Sequence, residues 1–308
     1  MKHIDISFII PALNEEKSIG KTIASINKFV PDQYQYEIIV LDNGSSDKTQ
    51  QVASSSGAIV YVEPSVTVGG LRNLGVAHSS GRYLIFLDAD VRLTHSWKLG
   101  IGDTIQLLEQ KPKVVTGSKC GVSESPSFIE KYWFAPLASK DSGYVNSGHL
   151  ITSREFFEQI GGFSSDLISA EDFEFSTRAK EHGAELINNR NLAVVHEGYP
   201  STLKAFMLRE IWHGVGDIQT FKSFMSSKVA MMASFFAFNQ LVLIGSIIVG
   251  NAVLAVCSFF LLVTIPLFLS YVKYKSQSLR YILVNALIFY LYLMSRFCSF
   301  FFRTKKDY

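Results

Sequence analysis

The sequence predicts an α/β domain on a mostly parallel sheet, followed by a C-terminal membrane region. Three observations carry this. Short β-rich runs alternate with stretches of helical spacing up to about residue 116. The runs are continuously apolar, as in strands buried on both faces. Charged residues are common up to about residue 228 and then thin out sharply, which separates a polar domain from an apolar one.

Taken in order, the strands are ISFII at 6–10, EIIVL at 37–41, AIVYV at 58–62, YLIFL at 83–87 and KVVTG at 113–117. Helical spacing between them is clearest at Ile19, Ile23 and Ile26. Residues 118–146, broken by Pro126 and Pro136, read as a loop-rich connection. A strand, a short helix and Gly161-Gly162 follow between Asn146 and Phe163. SAEDFEFSTRAKEHG at 169–183 reads as a helix capped by Ser169 and ended by Gly183. The run from Leu192 to Val195 gives a last strand ending at His196.

Val229 to Val272 contains no charged residue. At about 1.5 Å per residue, roughly 20 residues cross the hydrocarbon, so this stretch is two spans turning near Gly250-Asn251. A third apolar stretch, Leu279 to Phe302, has the length of a span. However, Arg303, Lys305 and Lys306 beyond it favour an interfacial or re-entrant helix, and both readings stay open. Lys222 and Lys228 before the first span, with Lys273, Lys275 and Arg280 after the second, put both flanks and the preceding domain in the cytoplasm. The expected division is therefore 1–227 and 228–308, with a membrane-proximal amphipathic helix at 202–223.

The composition excludes some classes. A net charge of +2 with no long like-charge run gives no surface for nucleic acid. Three scattered cysteines form neither a disulfide framework nor a metal-site spacing. The first residues have no long apolar stretch followed by a cleavage site and read as the start of a domain.

In a parallel α/β sheet, ligands bind outside the carboxyl ends of the strands. Polar residues recur at that edge: Pro11-Ala12-Leu13-Asn14-Glu15, then Asp42-Asn43-Gly44-Ser45, then Asp88-Ala89-Asp90. Two carboxylates one residue apart at the end of a buried strand suit a hard divalent cation, or else cap a turn. Asp42 to Ser45 could equally be a turn ahead of a helix. Glu171-Asp172 could simply be acids favoured in a first helical turn. Arg72 could be a surface arginine, and His196 a structural histidine.

Five stretches in order, IIPALNEE (9–16), VLDNGSSDKT (40–49), GGLRNLGVAHSSGRYLIFLDADV (69–91), GGF (161–163) and AEDFEFSTRAKEHG (170–183), give the chain a second reading. Over roughly residues 4–216 it resembles family 2 glycosyltransferases of the GT-A fold, the Rossmann-like fold of nucleotide-diphospho-sugar transferases. The resemblance implies that Pro11, Ala12, Asn14, Glu15 and Asp42 hold the base and ribose of a nucleotide sugar. It further implies that Arg72, beside Gly70, reaches the diphosphate and that Asp88 and Ala89 face the donor. Asp90, with His196 completing the shell, would bind Mn2+ or Mg2+. Asn43 stands where the family often has a second Asp.

By the same resemblance Asp172 is the general base that deprotonates the acceptor hydroxyl, and Glu171 positions acceptor or base. If the acceptor were an ionised phosphate, Asp172 would orient it. Arg209 and Trp212 would meet the acceptor or the lipid surface. The segment MLREIWHGVGD at 207–217 lacks the Gln-x-x-Arg-Trp pattern of processive synthases, which favours addition of a single sugar.

The expected function is a membrane-anchored, metal-dependent, inverting glycosyltransferase in cell-envelope polysaccharide biosynthesis. It would use a UDP-sugar in preference to a GDP-sugar, and polyprenyl-phosphate or a polyprenyl-linked glycan as acceptor. The rivals are a non-catalytic nucleotide-sugar-binding membrane subunit and a nucleotidyltransferase.

Overall fold

The structure is a computed structural model describing residues 4–123, 125–138, 143–167 and 170–302. The chain folds as β1 (Ile6–Ala12), α1 (Ile19–Phe29), β2 (Tyr36–Asp42), α2 (Thr49–Ser55), β3 (Ile59–Val62) and α3 (Val68–Ala77). Then come β4 (Tyr83–Leu87), β5 (Val91–Leu93), α4 (His95–Gln110), β6 (Val114–Gly117) and β7 (Cys120–Gly121). A π-helical turn, Glu130–Phe134, runs into α5 (Ala135–Ala138). Next are β8 (His149–Ser153), α6 (Arg154–Gln159), α7 (Glu171–Glu181), β9 (Glu185–Asn188) and β10 (Val194–His196). The rest is helical: α8 (Leu203–Asp217), α9 (Phe221–Ser226), α10 (Lys228–Ile248), α11 (Ala252–Tyr274) and α12 (Leu279–Cys298).

Two compact units result, one of Met1–Glu124 with Leu137–Tyr199, the other of Ser125–Pro136 with Pro200–Asp307. The division falls at Pro200, earlier than the expected boundary at 227. It also takes part of the 118–146 connection, expected to be loop, into the helical unit as a short helical turn.

In the first unit a seven-stranded sheet has the order β3-β2-β1-β4-β8-β6-β9. β1 pairs in parallel with β2 and β4, and β8 is antiparallel to both β4 and β6. Its residues feed two cores, because successive side chains on a strand point to opposite faces. Phe8 and Ile10 pack with Ile19, Ile23, Ile26 and Trp97 of α1 and α4 on one face. Ile9 and Phe86 pack with Leu71, Phe157 and Phe175 of α3, α6 and α7 on the other. A three-stranded sheet, β5-β10-β7, sits at the mouth of the fourth strand.

Two sequence expectations shift at element ends and one holds. α7 begins at Glu171 with Ala170 as its N-cap, at φ 66 and without a side-chain cap bond; Ser169 lies outside the described residues. Gly183 does end the helix, at φ +81. The strand before His196 starts at Val194, Leu192 being in a 3-10 turn.

In the second unit the helix expected over 202–223 is two helices. Thr220 caps a new N-terminus, accepting from Ser223 N while the Ser223 hydroxyl accepts from Thr220 N, and this reciprocal cap stops α8 from running on. α10, α11 and the stretch Leu279–Phe301 are each long and apolar enough to cross a membrane. Arg303, Lys305 and Lys306 lie outside the described residues.

α3 owes its seat on the sheet to Gly75, where a Cβ would run into Ile9 Cγ2 and lie 2.7 Å from Leu41 Cδ2. Both neighbours are fully buried. Overpacking of this kind costs about 1–3 kcal/mol. Gly75→Ala is therefore expected to lower the thermal unfolding midpoint of the detergent-purified chain by several degrees; an unchanged midpoint would contradict this packing.

Candidate active site

The acids at the sheet edge are organised by one buried cation. Arg72, on the inner face of α3, is 2% exposed. Its Nη2 donates to Asp88 Oδ1 and its Nη1 to Glu171 Oε1, each at 2.8 Å. The two acidic stretches, more than 80 residues apart in sequence, are thereby held together. Arg72 was expected to reach a diphosphate, but its guanidinium turns inward to carboxylates, because an ion this deep needs paired charges. The Gly70 N–H donates to Thr67 Oγ1 as part of the α3 cap, and a Cβ there would lie 2.7 Å from Val66 Cγ1, so its missing side chain makes room for Val66.

Asp88 follows β4 and Asp90 precedes β5. The Asp88 N–H donates to the Gly148 carbonyl at 3.2 Å. Ala89 is 5% exposed and packs in the core, its carbonyl accepting from Thr22 Oγ1 at 2.8 Å. That contact leaves the flanking acids facing outward. β10 pairs antiparallel with β5, setting His196 opposite Val91, and its Nε2 lies 3.5 Å from Asp90 Oδ1. The ring stacks on Tyr199 at 4.3 Å. One ligand atom each from Asp88, Asp90 and His196 fall within 4.8 Å of one another. His196 Nδ1 is buried without a hydrogen-bond partner. Two carboxylates and an imidazole at this spacing are a donor set that fits Mn2+ or Mg2+.

Glu15 faces the same cluster. Burial, then the Asp90 carboxylate, push its carboxyl up to about 7, with Asp88 and Asp47 adding to the rise. Asn14, at φ 56, uses its side chain to hold the next loop, its Oδ1 accepting from Ser46 N at 2.9 Å while its own N–H donates to Ser45 Oγ. Pro11 and Ala12 end β1, and the Ala12 carbonyl accepts from Asn43 N.

Asp42 is fully buried. Its Oδ1 accepts from Gly44 N, Ser45 N and Gln50 Nε2, whereas Oδ2 is buried with no partner. A buried carboxylate oxygen left unpaired is costly and is a ready acceptor for a ligand donor. Asn43 has a different task. Its amide donates to the Val66 carbonyl and accepts from Val66 N, both at 3.2 Å, a pairing that an aspartate could only half make.

Asp172 sits half-buried in the first turn of α7. Burial, then the neighbouring Glu171, push its carboxyl up to about 6. Asn146 Nδ2 donates to its Oδ2 at 2.9 Å. Glu171 also accepts from Ser147 Oγ at 2.9 Å. Asn146-Ser147-Gly148 thus touches Asp88, Glu171 and Asp172 together, and the sequence reading missed it. β8 runs antiparallel, so its beginning lies at the edge where the parallel strands end. Gly198 was also missed; a Cβ there would overlap Asp90 Oδ2.

Arg209 and Trp212 belong to the second unit. Arg209 lies over Phe134 at 4.8 Å and its Nε donates to His213 Nε2 at 3.2 Å. Trp212 is exposed.

The strand order and the acids at this sheet edge define a GT-A glycosyltransferase. Among solved structures of this fold is the mannosyltransferase PcManGT from Pyrobaculum calidifontis in complex with GDP-Man and Mn2+. It aligns with 97% of this chain and 88% of its own at TM-score 0.56 and 16% identity. The chain belongs to glycosyl transferase family 2, whose model matches residues 7–161, and the model of glycosyl transferase family group 2 matches residues 140–297. Glycosyltransferase AglE of Haloferax volcanii is 24% identical over 70% of this chain and 73% of its own. The amylovoran biosynthesis glycosyltransferase AmsB of Erwinia amylovora is 26% identical over 61% and 67%.

Two outcomes follow from the geometry. A general base at Asp172 would have to be unprotonated to take a proton, so with Asp172 in that role kcat at saturating donor and metal should fall tenfold per pH unit below about 6 and be level above it. A flat profile through pH 5 would contradict Asp172 as base. Gly198→Ala should displace Asp90 and weaken Mn2+ binding by calorimetry roughly 10–100-fold, the usual effect of disturbing a ligand's support. Unchanged affinity would remove Asp90 from the metal site.

Proposed function

We propose that this glycosyltransferase is membrane-anchored and metal-dependent, and moves one sugar with inversion from a nucleotide sugar to a lipid-linked acceptor on the cytoplasmic side. The observation that carries the reading is the convergence of Asp88, Asp90 and His196 within 4.8 Å, tied through Arg72 to the residue preceding Asp172. Asp90 and His196, with Asp88 turned toward the donor, would hold Mn2+ or Mg2+. The ion's chemistry there is to offset charge on the departing diphosphate.

The chain's own residues do the rest. The open Oδ2 of Asp42 accepts a hydrogen bond from the nucleoside, in the crevice beside Pro11, Ala12, Asn14 and Glu15. Asp172 takes the acceptor's hydroxyl proton as that oxygen attacks the anomeric carbon. The bond from that carbon to the diphosphate breaks, and the nucleoside diphosphate leaves with the electron pair. Attack opposite to the leaving group inverts the anomeric centre. Glu171 fixes Asp172 through Arg72 and Ser147.

A UDP-sugar is the favoured donor and a GDP-sugar the other choice. PcManGT was solved with GDP-Man and Mn2+, and GalNAc-T7, which aligns at TM-score 0.50 and 18% identity, with UDP, GalNAc and Mn2+. The acceptor class, polyprenyl-phosphate or a polyprenyl-linked glycan, is favoured by the apolar helices α10 and α11 and by exposed Trp212 beside Arg209 in α8. A role in cell-envelope polysaccharide assembly accords with this acceptor.

The test is turnover of a panel of nucleotide sugars by the detergent-purified chain with Mn2+ and polyprenyl-phosphate. Release of a nucleoside diphosphate, abolished by EDTA, with a product of opposite anomeric configuration is expected. Pyrophosphate release from a nucleoside triphosphate, or a retained anomer, would overturn the reading.

A further inference from the structure

The third apolar helix of the second unit has the length to cross a bilayer, but its two ends are both found at one end of the hairpin that α10 and α11 form. Asn239 Nδ2 of α10 donates to the Ser258 carbonyl of α11 at 2.9 Å, fixing the register of a hairpin that turns at Gly250-Asn251. The open end is therefore where Lys228 begins α10 and Tyr274 ends α11.

α12 starts at that open end. Ser270 Oγ donates to the Ile282 carbonyl at 2.6 Å, and the Tyr281 ring lies 6.2 Å from that of Tyr274. The Tyr281 hydroxyl donates to the Lys131 carbonyl, and Tyr274 donates to that of Trp133 at 3.0 Å, so one aromatic turn holds both. α12 also finishes there. The Phe300 ring is 5.8 Å from Phe224 in α9, just ahead of α10. Arg296 pairs with Glu210 at 3.4 Å and Asp217 at 3.3 Å, both in α8. Gly214 of α8 has no Cβ where one would overlap Ser299 Oγ. A crossing helix would instead carry its far end to the Gly250 turn, about 30 Å away across the hydrocarbon.

The faces of α12 agree with this placement. Asn285, Phe289 and Leu293, one turn apart, are buried against the protein. Leu279, Leu283 and Leu287 are exposed and form one apolar stripe at helical spacing, while Tyr290 turns to α10, its hydroxyl donating to Gln240 Oε1 at 3.2 Å. Trp133 packs on Phe206, Tyr274, Phe289 and Tyr292, so the middle of α12 is roofed by the same short turn that receives its start. Arg296 has its counter-charges on α8, so the last turn of α12 is tied to that helix.

We infer that α12 lies in the bilayer interface with its leucine stripe toward the acyl chains, so that this unit crosses the membrane twice, by α10 and α11. The partner of that stripe is the lipid surface on the side of the hairpin's open end, flanked by Lys222, Lys228, Lys273, Lys275 and Arg280. The inference rests on the membrane anchoring proposed above but not on any transfer chemistry, and its test does not use activity.

The test places single cysteines in a Cys120→Ser, Cys257→Ser, Cys298→Ser background, at Gln277, Asn251 and Phe302. Sealed vesicles of both orientations are treated with a membrane-impermeant maleimide, and detergent-solubilised samples give full labelling. Gln277→Cys and Phe302→Cys are expected to label from the same face and Asn251→Cys from the other. A C-terminal epitope, if cut by protease from the Gln277 face, gives the same answer should position 302 be shielded in lipid. Labelling of Phe302→Cys, or cleavage of the epitope, from the Asn251 face would overturn the inference.

Discussion

The site depends on one buried cation between two acids. Arg72 is all but inaccessible, and its two terminal nitrogens are fixed to Asp88 and Glu171. Removing one partner of such an arrangement leaves a buried charge uncompensated, typically at a cost of about 3–5 kcal/mol, so the pairing fixes geometry more surely than it adds net stability. It sets the end of β4 against the start of α7. Asp88 and Glu171, the latter next to the proposed base Asp172, are thereby placed by the same side chain.

Around that cation the carboxylates outnumber the positive charges. Glu15, Asp88, Asp90, Glu171 and Asp172 crowd one sheet edge with Arg72 engaged by only two of them. The consequence is visible in the carboxyls the arginine does not bond: Glu15 is held near 7 and Asp172 near 6, each first by burial and then by a neighbouring acid. An edge with this surplus of negative charge suits a divalent cation at Asp88, Asp90 and His196. It also leaves Asp172 a stronger base than an exposed aspartate.

The strands and the acids were readable because their causes are local. A strand buried on both faces must be continuously apolar, and in a parallel sheet its carboxyl end opens to the ligand crevice, so Asp42, Asp88 and Asp90 stood out. What the sequence hid depends on direction and depth. Nothing in HLITS shows that β8 runs antiparallel, so Asn146-Ser147-Gly148, ahead of it, read only as the approach to a strand and not as part of the site. Arg72 looked like a surface or ligand-facing arginine because its partner Glu171 is distant in sequence. Gly70 and Gly198 are both glycines pressed by a neighbour, and only coordinates reveal which neighbour. In the second unit the apolar helices were plain from composition, whereas the break at Thr220 follows from a cap within a run of otherwise helical spacing.

The account turns on the separation of two tasks, donor and metal at Asp90 and proton removal at Asp172. The most direct measurement compares Asp90→Ala and Asp172→Asn for Mn2+-dependent binding of the nucleotide sugar by calorimetry and, in parallel, for sugar transfer. The account predicts that Asp172→Asn keeps near-normal donor binding while transfer falls by at least about 100-fold, as loss of a general base does, and that Asp90→Ala loses both. Normal transfer by Asp172→Asn, or normal metal-dependent binding by Asp90→Ala, would contradict it.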